Sequence, residues 1–236
     1  MASFVLVHGH MHGAWCWDKV VPLLRAKGHR VTAFDLPGRG GDATPHAEVT
    51  LGHFVRATQA VVAAQDEPVI LVGHSAGGTV LSEIAERMPG RVRRLVYVAA
   101  ILLRDGESIM SAFVPDMPQD GAIAVEGPSA VLAEKEKLRQ RFYNTCSRDD
   151  SDWALARICP EPVAPMLEPV RVTQGCFGRV PRAFIQTLRD QGVYIAQQRA
   201  MCAALPCDPV IAMDTDHSPF LCAPGAFAAH LDGLSG

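Results

Sequence analysis

Along this chain, short unbroken apolar runs alternate with stretches in which apolar residues recur every three or four positions. The first kind of pattern predicts buried strands, the second amphipathic helices. Residues 3–8 (Ser-Phe-Val-Leu-Val-His) form such a run and stop at Gly9, which predicts a strand. Trp17, Val20, Val21 and Leu24 then share one helical face within 14–27. Pro22 interrupts that stretch, so the helix is expected to kink or start late, and Gly28 closes it. Residues 30–34 predict a second strand, followed by a turn-rich loop at 35–42. Thr50 is placed to cap a helix over 51–65. A third strand is expected over 68–73, a helix over 76–88 with Val80, Ile84 and Met88 on one stripe, and a fourth strand over 91–99.

The strands lack clean alternation, as expected when both faces of a sheet are covered. The order β-α-β-α-β-α-β over 1–100 therefore predicts a mostly parallel sheet flanked by helices, an α/β fold. Residues 101–178 break the rhythm. They hold seven prolines and the mixed-charge runs 134–137 and 148–152, which read as solvated faces. Helices are plausible there over 130–142 and 152–157, and no strand is convincing. This segment is expected to be an inserted, mainly helical cap. The α/β pattern resumes with a strand at 182–187, a helix at 194–205, a strand at 209–213 and a helix at 223–231. The core is then 1–100 plus 179–236, with the cap between.

Composition narrows the function classes. The 236 residues are 48% hydrophobic and carry a net charge of −3, which argues against disorder and against a nucleic-acid footprint. No apolar run approaches the length of a membrane span, so no membrane association is expected. The first residues carry neither a basic segment nor a cleavage pattern, so no signal peptide is expected. The seven scattered cysteines, an odd number without a CxxC pair, suit reduced thiols in the cytoplasm.

The chemistry concentrates at Gly73-His74-Ser75-Ala76-Gly77, a G-x-S-x-G motif between a predicted strand and a predicted helix. A serine at that junction sits on a sharp turn with its hydroxyl raised above the sheet, and the helix N-terminus favours an oxyanion beside it. Serine needs a base and the base an orienting acid, which in such a unit follow in the order serine, acid, histidine. His217 is the candidate base, on a loop just after the last strand; His230 falls inside the closing helix and reads as structural. Asp190, which follows the strand at 182–187, is the candidate acid. Asp214 and Asp216 compete, although neighbours on one loop usually cannot reach under the imidazole. The amides of Ala76 and His10 are the candidate oxyanion donors.

His8, His10 and His12 invite a metal reading, but glycines break the strand there and the segment holds no acidic ligand, so no metal is expected. Gly38-Arg39-Gly40-Gly41 is too short for a phosphate loop. The cysteines, including Cys16, and Trp15, Trp17 and Trp153 read first as packing. Met110, Phe113, Val114, Met117 and Trp153 are nevertheless the apolar cap residues available to line a substrate pocket.

These residues resemble the α/β-hydrolase superfamily, and within it the small methylesterase and hydroxynitrile-lyase branch, which includes salicylate methylesterases. The matching segments are 5–9, 12–17, 35–40, 73–78, 141–146 (Arg-Phe-Tyr-Asn-Thr-Cys) and 216–220 (Asp-His-Ser-Pro-Phe). The resemblance implies a helical cap, the triad Ser75, Asp190 and His217, and oxyanion amides at Ala76 and His10. Plant hydroxynitrile lyases of this branch carry a threonine and a lysine where this chain has Gly9 and Ser218. Those two positions, with Trp153 and Phe113, are the candidate substrate-binding residues, and loss of the lysine disfavours lyase chemistry. The expected function is hydrolysis of a small carboxylic ester through an acyl-enzyme. The alternatives are a lyase or C–C-cleaving enzyme, and a non-catalytic small-ligand binder on the same fold. Water and the triad suffice, so no cofactor is implied, and a homodimer stays open without a residue-level argument.

Overall fold

Six strands of the computed structural model, which describes residues 1–112 and 120–236, build one parallel sheet. They are β1 (Ser3–Val7), β2 (Arg30–Ala33), β3 (Val69–His74), β4 (Val92–Val98), β8 (Arg182–Thr187) and β9 (Val210–Met213), in the order β2-β1-β3-β4-β8-β9. Every residue of β1 and β3 is buried, which explains their near-continuous apolar sequence. Successive side chains still serve opposite faces. Val5 and Val7 join one core with α2 (Leu51–Ala63) and α3 (Gly77–Arg87). Phe4 and Leu6 join the other with α1 (Val21–Ala26) and α10 (Pro224–Gly233).

Local signals set several boundaries. Pro22 lies in the first turn of α1, where a missing N–H costs nothing, so residues 14–17 form only a short 3₁₀ turn before it. Thr50 Oγ1 accepts the His53 N–H at 3.3 Å, and α2 starts after it as expected. The α8 helix (Ile195–Ala204) follows the first strand after the cap segment.

Between β4 and β8 lie α4 (Ile109–Ala112), β5 (Ile123–Glu126), β6 (Ser129–Leu132), α5 (Lys135–Phe142), α6 (Arg148–Leu155), β7 (Glu161–Pro162) and α7 (Ala164–Leu167). Helices predominate, but the expectation of a strand-free segment fails: β5, β6 and β7 form an antiparallel sheet. Residues 129–132, read as the start of a helix over 130–142, are a strand, and the helix begins at Lys135. The reason is the Gly127-Pro128 link. Gly127 takes a φ of +58° at the first position of a two-residue hairpin turn, and Glu126 pairs with Ser129 across it. That turn puts a strand where a helix from residue 130 is expected.

The C-terminal helix anchors the second core through Phe227, fully buried and stacked 6.2 Å from Trp17. Phe227→Ala should cost about 3–5 kcal/mol, read as a lower urea midpoint at unchanged slope. A loss under about 1 kcal/mol would mean that the helix is not part of the cooperative core.

Candidate active site

At the end of β3 the chain makes its tightest turn. Ser75 adopts a φ of +52°, a left-handed conformation costing on the order of 1–3 kcal/mol in a residue with a Cβ. Its own peptides hold it there. Ser75 N–H donates to Val98 O at 3.1 Å, and Ser75 O accepts Ile101 N–H at 2.9 Å and Gly78 N–H at 3.0 Å. Two glycines let other backbones close in. A Cβ on Gly77 would lie 2.8 Å from the His8 carbonyl, and one on Gly9 would lie 2.7 Å from both Ser75 Cβ and His74 Nδ1. The loop after β1 is thereby brought against the serine, and α3 starts directly behind it.

His217 comes from the loop after β9 and is almost fully buried. Its Nδ1 lies 2.8 Å from Asp190 Oδ2. Asp190 is the best-satisfied carboxylate of the site. Its Oδ1 accepts the N–H groups of Gly192 (2.7 Å) and Val193 (2.8 Å). Its Oδ2 accepts from Thr187 Oγ1 (2.8 Å) and Gln198 Nε2 (3.1 Å) as well as from His217. An acceptor-only group among so many donors is a carboxylate, so Nδ1 of His217 carries the hydrogen and Nε2 is the basic nitrogen. Phe142 stacks on the ring at 5.1 Å and His74 packs at 4.5 Å. His74 Nε2 donates to the His217 carbonyl at 2.9 Å.

The competing aspartates sit elsewhere. Asp214 is paired with Arg189 at the surface. Asp216 is fully buried, but its oxygens accept the backbone N–H groups of Thr145 (2.8 Å), Cys146 (3.1 Å) and Ser218 (2.9 Å). It braces the loop that carries His217 against the segment after α5.

Ser75, His217, Ala76 and His10 face a common cavity of about 330 Å³. Its other walls are mainly apolar and include Ile101, Met110, Ile123, Phe142, Met166 and Val193. Of the proposed substrate-binding residues, Gly9 packs under Ser75 and borders a separate small cavity. Trp153 stands against Trp15 at 5.4 Å with Arg157 over its ring, and does not line the cavity. Its size and planarity serve packing between α6 and the core instead. Ser218 is buried, its N–H engaged by Asp216, and is also absent from the lining. Phe113, Val114 and Met117 lie outside the described residues.

The sequence reading weighed His8, His10 and His12 only as a metal set and His10 as an amide donor. It missed the packing of the histidine rings, His74 among them, around the site, and the cap residues Ile123, Val163 and Met166. His8 donates from Nδ1 to the Gly9 carbonyl (3.0 Å) and accepts Leu36 N–H at Nε2 (3.1 Å). His12 donates to the His10 carbonyl (2.7 Å) and accepts the Tyr143 hydroxyl at Nε2 (2.8 Å). With both nitrogens engaged, neither ring offers a lone pair to a cation. The signal for Tyr143 and Phe142 was present in the 141–146 motif; the cap strands gave none.

With a serine on a left-handed turn between strand and helix, under a loop from β1, the architecture is that of an α/β hydrolase. The chain belongs to the alpha/beta hydrolase family, whose profile matches residues 4–230. Within it the chain falls in the methylesterase-like branch. It is 32% identical to methylesterase 2 of Arabidopsis thaliana over 97% of this chain and 94% of that protein. It is 31% identical to putative chloroplastic methylesterase 11 of the same plant, over 94% of this chain and 61% of that protein, so it spans under two thirds of that relative. A pyrethroid hydrolase from Sphingobium faniae JZ-2 has a similar structure, with a TM-score of 0.88, 29% identity and coverage of 99% and 97% of the two chains.

The neighbouring histidines give the site a pH limit. Burial above all, then Arg39, pushes His8 down to about 3. Burial pushes His12 down to about 3 as well, and burial followed by the charge of His217 pushes His74 well below the usual range. These groups are protonated first in the unfolded chain. Their contribution is therefore present above about pH 6.5 and is lost as pH falls toward 3, by about 1.4 kcal/mol per pH unit each. From His8 and His12 alone, unfolding at pH 5 should be about 4 kcal/mol easier than at pH 7.5. Urea titrations at the two pH values test this, and a difference under about 1 kcal/mol would contradict the buried, neutral assignment.

Proposed function

We propose that this chain is a serine-dependent carboxylic ester hydrolase acting through an acyl-enzyme. The carrying observation is the buried Asp190–His217 pair, 2.8 Å long, in the wall of an apolar cavity that also holds Ser75. Relatives named as methylesterases and a pyrethroid hydrolase support the same bond type.

Ser75 Oγ attacks the ester carbonyl while His217 Nε2 takes its proton. Asp190 holds the ring and offsets the imidazolium charge. The oxyanion is held by the amides of Ala76, at the start of α3, and of His10. His217 then passes the proton to the leaving alkoxide, which departs as alcohol. Water enters, His217 takes its proton, and the hydroxide attacks the acyl group. Collapse of the second intermediate returns the proton to Ser75 and releases the acid. The cavity walls favour an ester whose acyl or alcohol part is apolar. Gly9 and Ser218 stand where lyases of this branch place a threonine and a lysine, so no lysine beside His217 offers a charge to leaving cyanide.

The test is intact-protein mass spectrometry after a fluorophosphonate, beside p-nitrophenyl acetate turnover. Wild type should gain one adduct and release nitrophenol steadily; Ser75→Ala should do neither. Labelling of folded Ser75→Ala, cyanide or aldehyde release without an acyl-enzyme, or ligand binding without turnover would each overturn the proposal. Asp190→Asn should keep the fold and lower kcat by about 10⁴-fold, because the amide presents the wrong tautomer to His217.

A further inference from the structure

The turn over residues 9–13 carries the His10 amide, and its own bonds end on the Gly9 and His10 carbonyls, leaving the Met11 peptide to other partners. His12 N–H donates to Gly9 O at 3.3 Å and the His12 ring to His10 O at 2.7 Å. Met11 within it has a φ of +59°, a conformation methionine rarely adopts. Met11 and His12 are fully buried, and a cavity of about 20 Å³, bordered by Gly9, His10, Ala76, Gly77 and Glu161, adjoins the turn.

What reaches this turn is a cap residue 150 positions away. Glu161, on β7, accepts the Met11 N–H on Oε2 at 2.6 Å, and the same oxygen lies 3.6 Å from His10 Nδ1. Arg39 forms an ion pair with that carboxylate and donates from Nη1 to the His12 carbonyl at 3.0 Å. The Met11 carbonyl accepts Cys159 N–H at 3.1 Å. Glu161 and Arg39 are only 3% and 2% exposed, so neither charge is shared with solvent.

We propose that Glu161 is a positioning residue for the oxyanion hole. It holds the Met11 peptide in its left-handed conformation and so aims the preceding His10 N–H at the carbonyl oxygen of the ester. Arg39, ion-paired with Glu161, offsets the carboxylate charge, which would otherwise oppose the developing oxyanion. The cap and the oxyanion hole are thereby one mechanical unit. This inference rests on the ester-hydrolase reading above.

Removing Glu161 alone would strand Arg39, so the test compares two charge-free pairs, Arg39→Met with Glu161→Gln and Arg39→Met with Glu161→Leu. Glutamine keeps an acceptor for Met11 N–H and leucine does not. The leucine pair should show a kcat about 10–10²-fold below the glutamine pair, with KM within about threefold, since a displaced donor is felt in the transition state. A trifluoromethyl ketone, which forms an oxyanion, should lose affinity in parallel, while an ether isostere without a carbonyl should not. Equal kcat and equal ketone affinity in the two pairs, or equal losses for both inhibitors, would overturn the proposal. Should either pair fail to fold, Glu161→Asp keeps the ion pair but shortens the reach; an unchanged kcat there would overturn it too. Hydrogen exchange of the His10 and Met11 amides, at least tenfold faster in the leucine pair, reads the contact without turnover. A wild type that takes no fluorophosphonate and cleaves no ester would sink the hydrolase reading, and unchanged exchange would sink the Glu161 contact.

Discussion

The left-handed backbone at Ser75 is the constraint on which the rest of the molecule depends. A side chain at φ +52° is tolerated only because three peptides grip the turn and two glycines let other backbones come within van der Waals contact. That grip needs β3 in the centre of the sheet, with β1 on one side and β4 on the other. The order of the strands is thus tied to the strain. Val98 at the end of β4 supplies a carbonyl, the loop after it supplies the Ile101 N–H, and the loop after β1 fills the remaining side through Gly9. Strain on this scale is small beside the burial of the mostly apolar, fully buried β1 and β3, so the fold tolerates it.

Among the polar contacts that join the segment between β4 and β8 to the core, one group ends beside Ser75 and His217, while others, such as Lys19–Asp150, His46–Ser129 and Arg171–Glu83, lie elsewhere. In the first group Tyr143 reaches His12, the amides of Thr145 and Cys146 reach Asp216, and Glu161 reaches Met11. Each contact is buried or partly buried, where an unmade hydrogen bond costs about 1–3 kcal/mol. Loss of cap registry is therefore costly at the site first. Apolar contacts alone, such as Phe142 on His217, would allow sliding, whereas these bonds specify one seating.

Much of this was legible in the sequence because the core obeys local rules. Apolar runs marked the strands, Thr50 marked a helix start, and G-x-S-x-G between strand and helix marked Ser75. The spacing to His217 and Asp190 followed from where strand ends fall, and the structure brings those two together at 2.8 Å. The cap was less legible. Its hairpin rests on two residues, Gly127 and Pro128, whose turn the helical reading from residue 130 onward did not weigh. Trp153 illustrates another limit: composition says that a large aromatic is buried, but not against which partner. Glu161 lay in a proline-rich stretch with no periodicity, and its partners Met11 and Arg39 are distant in the chain.

The electrostatics of the histidine cluster follow from the same burial. In the proposed mechanism His217 becomes an imidazolium during acylation, with His74 4.5 Å away and His12 against His74 at 5.4 Å. A second positive charge at that distance would raise the energy of the imidazolium and weaken the base. Burial holds both neighbours neutral, so the charge that His217 meets at bonding distance, among the described residues, is the Asp190 carboxylate. The hydrogen bonds of His74 to the His217 carbonyl and of Tyr143 to His12 place these rings without adding charge. Deep burial of polar rings, costly for stability at low pH, is what keeps a second positive charge away from His217 in this arrangement. A more open site would relieve the pH penalty and at the same time let His74 compete for the proton that, in the proposed mechanism, His217 receives from Ser75.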